Sequence, residues 1–139
     1  MSNLTTAHKL MVLAFAWLLL SGGGIASAPP PFKADKLCVL IVHEGEDRDD
    51  GPKDLPLILN GQTPGTVRGI VSAAGGEFRA VDVSNPPVRD AQWVQDAFTV
   101  SRQSLPWIVA SNGRRGVSAP LPATEAEAAA LIAPLGAKQ

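Results

Sequence analysis

The spacing of apolar and polar residues divides the chain into alternating strands and helices, separated by Gly and Pro. Apolar runs predict strands at residues 36–44 (KLCVLIVHE), 77–84 (EFRAVDVS), 107–111 (WIVAS) and about 114–119. The first run is almost continuously apolar and β-branched, which is typical of a central strand covered on both faces. Asn112-Gly113 predicts a two-residue hairpin with positive φ at both positions, so the last two strands should be antiparallel.

Helical spacing of apolar residues predicts three helices. One lies between the first and second strands, one between the second and third, and one after the fourth. Thr63 is a candidate N-cap with Pro64 at the first helical position, and Gly75-Gly76 ends that helix. Its apolar stripe consists of Val67, Ile70, Val71 and Ala74. About 19 residues connect the first strand to this helix. Such a connection is long, so the segment is either functional or contains a short helical turn.

The second and third helices have recognisable starts. Asn85 is the candidate cap of the second, Pro86 is tolerated at its start, and its inner stripe is Val94, Ala97, Phe98 and Ser101. Thr124 and Glu127 form a capping box for the third, whose buried face consists of Ala128, Leu131, Ile132 and Leu135. The predicted order is therefore β-α-β-α-β-β-α, an α/β fold in a single domain.

The N-terminal segment has a different pattern and predicts export. In residues 1–28 a lone Lys9 precedes the apolar run LMVLAFAWLLL, and a small-residue segment follows. Ala26-Ser27-Ala28 resembles a processing site, although Pro29 disfavours a cut directly before it and leaves a cut after Ala26 as the alternative. An uncut segment would be a marginal membrane anchor, because a spanning helix needs about 20 apolar residues. Retention in the cytoplasm is the third alternative.

The remaining chain then consists of a Pro-rich spacer at residues 29–35 and a folded domain at residues 36–139. The 139 residues carry a net charge of −1 and no Tyr. This balance gives no electrostatic basis for nucleic-acid binding, although the N-terminal segment could associate with a membrane. The predicted location is periplasmic or extracellular.

A proline before the third strand, in SLPWIVASNG, adds a further signal to the element order. Two βα units, this proline, a tight hairpin and a closing helix together resemble the thioredoxin-like fold over about residues 36–136. The resemblance implies a three-layer sandwich with a cis-proline at Pro106. It also implies an exposed groove in which Leu105, Pro106 and Trp107 pair with an extended peptide. Core packing is the alternative role for Trp107.

The chain departs from that family at the position of its chemistry. Redox-active members carry Cys-x-x-Cys between the first strand and the first helix, but residues 44–63 contain no cysteine. The single cysteine, Cys38, lies inside the first strand, where it is expected to be a small core residue. Dithiol–disulfide exchange is therefore not expected.

Two other groups of residues were candidates for chemistry. The loop carboxylates could contact a partner or weakly hold a cation, although their spacing does not match a calcium loop; they are Glu44, Glu46, Asp47, Asp49, Asp50 and Asp54. His43 has no recognisable nucleophile motif to activate, so an ordinary hydrogen bond is expected there.

These observations predict an exported, non-catalytic binding or assembly module without cofactor or metal, whose partner is an unidentified protein or peptide. The alternative is an atypical thiol-dependent enzyme, in which Cys38 is a lone nucleophile or bound glutathione supplies the sulfur. Glutathione transferases place an acidic-serine pair at the start of the helix that follows the hairpin. In this chain the corresponding residues are Thr124-Glu125, in which the hydroxyl residue precedes the acidic residue.

Overall fold

A computed structural model describes residues 28–45 and 52–137 of the chain, and the account below concerns these residues. The strands are β1 (Cys38–His43), β2 (Glu77–Asp82), β3 (Trp107–Ser111) and β4 (Gly116–Pro120). The helices are α1 (Leu55–Asn60), α2 (Val67–Ala73), α3 (Gln92–Phe98) and α4 (Glu125–Gly136). Residues 1–27 of the predicted signal (residues 1–28) lie outside the described part, as do residues 46–51 of the acidic loop.

The four described strands form one mixed sheet in the order β2-β1-β3-β4. β1 runs parallel to β2 and antiparallel to β3, and β4 is antiparallel to β3. The α/β prediction is confirmed at this level. α1, in the long connection, is the short helix that the connection's length suggested.

All six residues of β1 are buried, because the sheet is covered on both faces. One apolar cluster joins alternate strand residues to α1, α2 and α4, with Val39, Ile41 and Ile108 fully buried. A second cluster on the opposite face joins Leu40 and Val109 to α3. The continuous apolar run at residues 36–44 thus results from burial on both faces rather than on one.

The starts of two predicted helices are wrong. α2 is capped by Thr66, whose side chain accepts from the Gly69 N–H, and Thr63 lies three residues before that cap. α3 begins after Ala91, well beyond Asn85. The Thr124 cap of α4 is confirmed, because its hydroxyl oxygen accepts from the Glu127 N–H at 3.2 Å.

The hairpin between β3 and β4 also differs from its predicted form. Asn112 N–H donates to the Arg115 carbonyl at 3.1 Å, so Gly113 and Arg114 are the two turn residues. Gly113 has φ +88°, and no described non-glycine residue has positive φ. Asn112 instead uses its side-chain oxygen to accept from the backbone N–H groups of Arg114 and Arg115. Its role is that of an Asx-type cap rather than a left-handed turn residue.

Residues 28–34, predicted as the end of the signal and the start of a spacer, pack against the domain. The Gly116 N–H donates to the Ala28 carbonyl at 3.0 Å, which forms an isolated antiparallel bridge on the outer edge of β4. Phe32 is 7% exposed and stacks on Trp93 with ring centroids 5.9 Å apart. This segment, which we call the N-terminal strap, therefore covers part of the α3 face of the sheet.

None of the helices in the described ranges is both long and apolar enough to span a membrane.

Candidate functional site

Leu105, Pro106 and Trp107, the residues predicted to line a peptide groove, lie where the C-terminal end of β1 meets the start of β3. Val42 of β1 pairs with Trp107 in the antiparallel register. The side chains of Leu105 and Pro106 are half-buried, whereas Trp107 is 6% exposed and belongs to the apolar cluster on the α3 face. The indole Nε1–H of Trp107 donates to Ser118 Oγ at 2.8 Å.

These contacts divide the three residues by role. Trp107 packs in the core with its polar atom paired, which is the usual arrangement for a buried indole. The accessible surface at this point comes from Leu105 and Pro106. The carbonyl of Pro106 accepts from the Leu121 N–H at 3.0 Å, so the chain leaving β4 closes one side of the site.

His43 ends β1 beside these residues and is almost completely buried. Its Nδ1 accepts a hydrogen bond from the Gly45 N–H at 3.0 Å. The imidazole thus fixes the chain as it leaves the strand. This is the ordinary hydrogen bond expected for His43.

A chain of carboxylates connects helix N-termini at the same end of the sheet. Asp54, the N-cap of α1, accepts the backbone N–H of Glu125 at 2.9 Å through Oδ2. Glu125, the first residue of α4, accepts the N–H of Val67, the first residue of α2, at 2.8 Å through Oε1. Each bond satisfies an amide that has no partner within its own helix. The two carboxylates thereby fix the relative positions of α1, α2 and α4.

Glu125 is only partly satisfied by this arrangement. The residue is 9% exposed, and its Oε2 is buried with no hydrogen-bond partner among the described residues. Burial raises the pKa of the Glu125 carboxyl above its usual value of 4.5; the Val67 N–H opposes that rise, and the nearby Asp54 carboxylate adds to it. Glu125 therefore holds a proton more readily than an exposed glutamate.

The amino-acid sequence contains only a weak signal for the pairing of Asp54 with Glu125. The capping box placed Glu125 at the first position of α4, where a carboxylate usually faces solvent and the helix dipole favours it. Its inward orientation depends on Asp54 and Val67, which lie 71 and 58 positions away along the chain. Asp54 had been grouped with the acidic loop, whereas its carboxylate binds α4.

Cys38 is the first residue of β1, an interior strand of the sheet, and does not lie at a helix start. The residue is 1% exposed, and burial, with the Glu77 carboxylate next in importance, raises its pKa to about 11. At pH 7 a thiol with that pKa is ionised in about one molecule in 10⁴. Because the thiolate is the nucleophile, Cys38 is poorly placed and poorly ionised for thiol chemistry.

The acidic loop is only partly described. Glu44 is exposed at the end of β1, and Asp54 makes the bond to α4 given above. Glu46, Asp47, Asp49 and Asp50 lie outside the described residues. Within residues 28–45 and 52–137, no group of three or more His, Cys, Asp or Glu side chains is arranged to hold a metal ion.

No protein-family model, curated protein or solved structure matches this chain. The interpretation of the site therefore depends on the residues themselves.

A shallow depression forms beside the N-terminal strap. It has a volume of about 710 Å³ and is bordered by Pro30, Phe32, Lys33 and Trp93. The strap supplies most of this border, which the sequence did not indicate because the Pro-rich segment was interpreted as a spacer. The depression is open to solvent, and its two aromatic side chains, Phe32 and Trp93, stack on each other.

Proposed function

We propose that this chain is a thioredoxin-like domain that binds extended peptides beside Leu105 and Pro106 and does not carry out thiol–disulfide exchange. The mixed sheet in the order β2-β1-β3-β4, with a hairpin from β3 to β4 and a closing helix, supports the resemblance. The position of Pro106, directly before β3, supports it further.

The observation that carries the non-redox part of this proposal is the position of Cys38. A nucleophilic cysteine needs access to its substrate and a lowered pKa, commonly from a helix N-terminus or a nearby cation. Cys38 has the opposite environment: it is buried in β1, and its pKa is raised to about 11. The alternative of an enzyme with Cys38 as nucleophile is disfavoured for the same reason.

The binding part of the proposal rests on the surface around Pro106. Leu105 and Pro106 supply half-exposed apolar side chains at the end of a sheet, where an extended ligand can lie along the chain. Glu44 is exposed at the neighbouring end of β1. The loop from Glu44 to Asp54 has six acidic and two basic side chains, so it favours peptides with basic residues.

Two assays on the full chain test the two parts separately. For the first, insulin reduction in dithiothreitol is measured with the wild-type chain and with Cys38→Ala. We expect both to match the rate of dithiothreitol alone, and native Cys38 to react with a thiol reagent only as fast as the fold opens. Turnover that disappears in Cys38→Ala would contradict the proposal.

For the second, two decapeptides with the same alternating apolar pattern, one with Lys and one with Glu in the intervening positions, are titrated while amide NMR shifts are recorded. We expect the Lys peptide to shift the amides of Leu105, Trp107 and Leu121, and the Glu peptide to bind at least about tenfold more weakly. Leu105→Asp should abolish these shifts. Val88→Asp is the matched control, since Val88 is 74% exposed elsewhere on the surface. Equal binding by both variants would place the peptide at another surface.

A further inference from the structure

The outer edge of β2 has no strand paired with it among the described residues. β2 is the terminal strand of the sheet, and its Arg79 and Ala80 are exposed. The Glu77 N–H donates to the Leu37 carbonyl at 2.9 Å, and the Val83 N–H donates to the His43 carbonyl at 2.8 Å. Because backbone groups alternate sides along a strand, the odd-numbered residues of β2 bond to β1. Phe78 and Ala80 direct their backbone groups outward.

The residues along this edge are complementary to themselves. In an antiparallel pair of two β2 edges with Phe78 opposite Phe78, Glu77 of each copy lies directly opposite Arg79 of the other. Glu77 and Arg79 share one face of the strand, since they are two residues apart. A two-fold axis at Phe78 therefore creates two symmetric pairs of opposite charge, together with an aromatic pair on the other face.

Other symmetric registers fit less well. An axis at Arg79 would place the two Arg79 guanidinium groups directly opposite each other, which is unfavourable. An axis at Ala80 would place Arg79 opposite Val81 and Phe78 opposite Asp82, so it would form no pair of opposite charge. The charges thus select the register centred on Phe78. In that register Gly76 lies opposite Ala80 and offers it only its carbonyl, because the Gly76 N–H already donates to the Val71 carbonyl at 2.9 Å.

The surroundings of the edge leave room for a second strand. On the α2 face a groove of about 340 Å³ runs beside β2 and is lined by Arg68, Val71, Ser72 and Phe78, among others. The Arg68 guanidinium lies 5.1 Å from the centre of the half-buried Phe78 ring. On the other face Glu77 accepts from the Trp93 indole at 2.7 Å through Oε2, while its Oε1 has only a 3.9 Å contact with Lys36. That oxygen can accept from an arginine of another copy.

Arg79 has contacts that the pairing must accommodate. Its Nη1 donates to the Phe78 carbonyl at 3.1 Å, and its Nε lies 3.5 Å from Asp90. Both are exposed contacts of a long, adaptable side chain, so the amide of an incoming strand can replace the first one at little cost.

We propose that the β2 edge is a homodimerisation surface, on which a second copy of this chain adds its own β2 antiparallel with Phe78 opposite Phe78 and Glu77 opposite Arg79. The proposal is independent of the peptide site, because it uses the edge of the sheet and not the start of β3. A single strand pair buries less area than a stable dimer needs, so the association should be weak and depend on concentration.

Sedimentation velocity of the full chain between about 10 µM and 1 mM tests this dimer, because weak interfaces dissociate in that range. Glu77→Arg and Arg79→Glu each place like charges opposite each other in both pairs. We expect each variant alone to associate at least about tenfold more weakly than the wild type. An equimolar mixture of the two variants restores both opposite-charge pairs, so it should associate about as strongly as the wild type.

The mixture separates pairing from damage to the fold, because a folding defect in one chain cannot be repaired by the other. Circular dichroism of each variant checks that it is folded. Phe78→Asp is a further variant that should weaken association, because it places two carboxylates opposite each other and leaves the Glu77–Trp93 bond intact. A wild-type chain that stays monomeric at 1 mM would overturn the proposal and leave the edge to a strand of a different protein. Association that is equal in all variants, or a mixture that stays monomeric, would overturn it as well.

Discussion

Glu125 has two opposing effects on the stability of the fold. Its Oε1 accepts the Val67 N–H and so satisfies the start of α2, while its Oε2 is buried without a partner among the described residues and the Asp54 carboxylate repels the charged form of the group. Removing the carboxyl and removing only its charge should therefore have different consequences.

The pKa of Glu125 determines how these consequences depend on pH. Because the pKa is raised above 4.5 in the fold, the folded chain binds this proton more tightly than the unfolded chain does. The resulting stabilisation is complete below pH 4.5 and is lost as the pH rises through the higher pKa of the folded state. Glu125→Gln, which has no charge, should become more stable relative to the wild type as the pH is raised from about 4 to 8.

Urea unfolding across that pH range measures this difference. Glu127→Gln is the matched control, because Glu127 is an exposed carboxylate in the same first turn of α4 and should show a much flatter difference. Glu125→Ala should lose about 1–3 kcal/mol even at low pH, since it leaves the Val67 N–H buried without an acceptor. A Glu125→Gln difference that does not change with pH would mean that the carboxyl is solvated in the fold.

Single residues were predicted well where their role is local. Thr124 caps α4 as its capping box indicated, and burial of Cys38 followed from the apolar run around it. Asp54 and Glu125 could not be recognised as a pair, because a local pattern contains no information on contacts between positions 71 apart. Trp107 was assigned to the groove with the core as the alternative, and its side chain lies in the core.

Helix starts are the least well predicted feature of the elements. Both Thr63 and Thr66 precede α2, and Pro64 after Thr63 favoured that residue as the cap. In the structure the Thr66 hydroxyl accepts from the Gly69 N–H and donates to the Thr63 carbonyl at 2.7 Å. The residues from Thr63 to Thr66 therefore form a turn before the helix and not its first turn.

This difference gives a direct comparison between two threonines. Thr66→Ala removes the N-cap of α2 and should cost about 1–2 kcal/mol of unfolding free energy. Thr63→Ala keeps the backbone carbonyl that Thr66 uses, so it should change stability by less than about 0.5 kcal/mol. Chemical denaturation of both variants checks this. Equal losses would indicate that Thr63 also contributes a cap.

The packing of the N-terminal strap is a feature that composition alone did not indicate. Its prolines exclude regular secondary structure, which favoured a spacer, but Phe32 lies in the cluster on the α3 face and stacks on Trp93. A buried aromatic side chain contributes several kcal/mol regardless of the secondary structure that presents it.

Substitution within the strap tests its contribution to stability. Phe32→Ala should lower the unfolding free energy by about 3 kcal/mol, because it opens a cavity against Trp93 and Cys38. Lys33→Ala is the control, since Lys33 is exposed and should change it by less than about 0.5 kcal/mol. Equal stability of wild type and Phe32→Ala in thermal and urea unfolding would mean that the strap separates from the domain in solution.

At the scale of the whole molecule, the alternation of buried strands and amphipathic helices was sufficient to predict the α/β class and the central position of residues 38–43 in the sheet. The position of β2 at the sheet edge could not be predicted in the same way. Phe78 and Val81 point to opposite faces of β2, a pattern that favours a strand covered on both sides, yet Arg79 and Ala80 are exposed. An edge strand can bury side chains on both faces and still leave its backbone open on one side.

Amide hydrogen exchange relates this topology to stability. We expect the amides of Val39 to Val42 in β1, the most central buried strand, to exchange only through global unfolding. The outward amides of Phe78 and Ala80 should exchange orders of magnitude faster at low protein concentration, because they have no strand partner in a monomer. If two β2 edges pair, these two amides should become slower as the concentration rises, whereas those of β1 should not change. Exchange that is equally slow at β1 and at Phe78 in dilute solution would mean that the outer edge of β2 is already covered in a single chain.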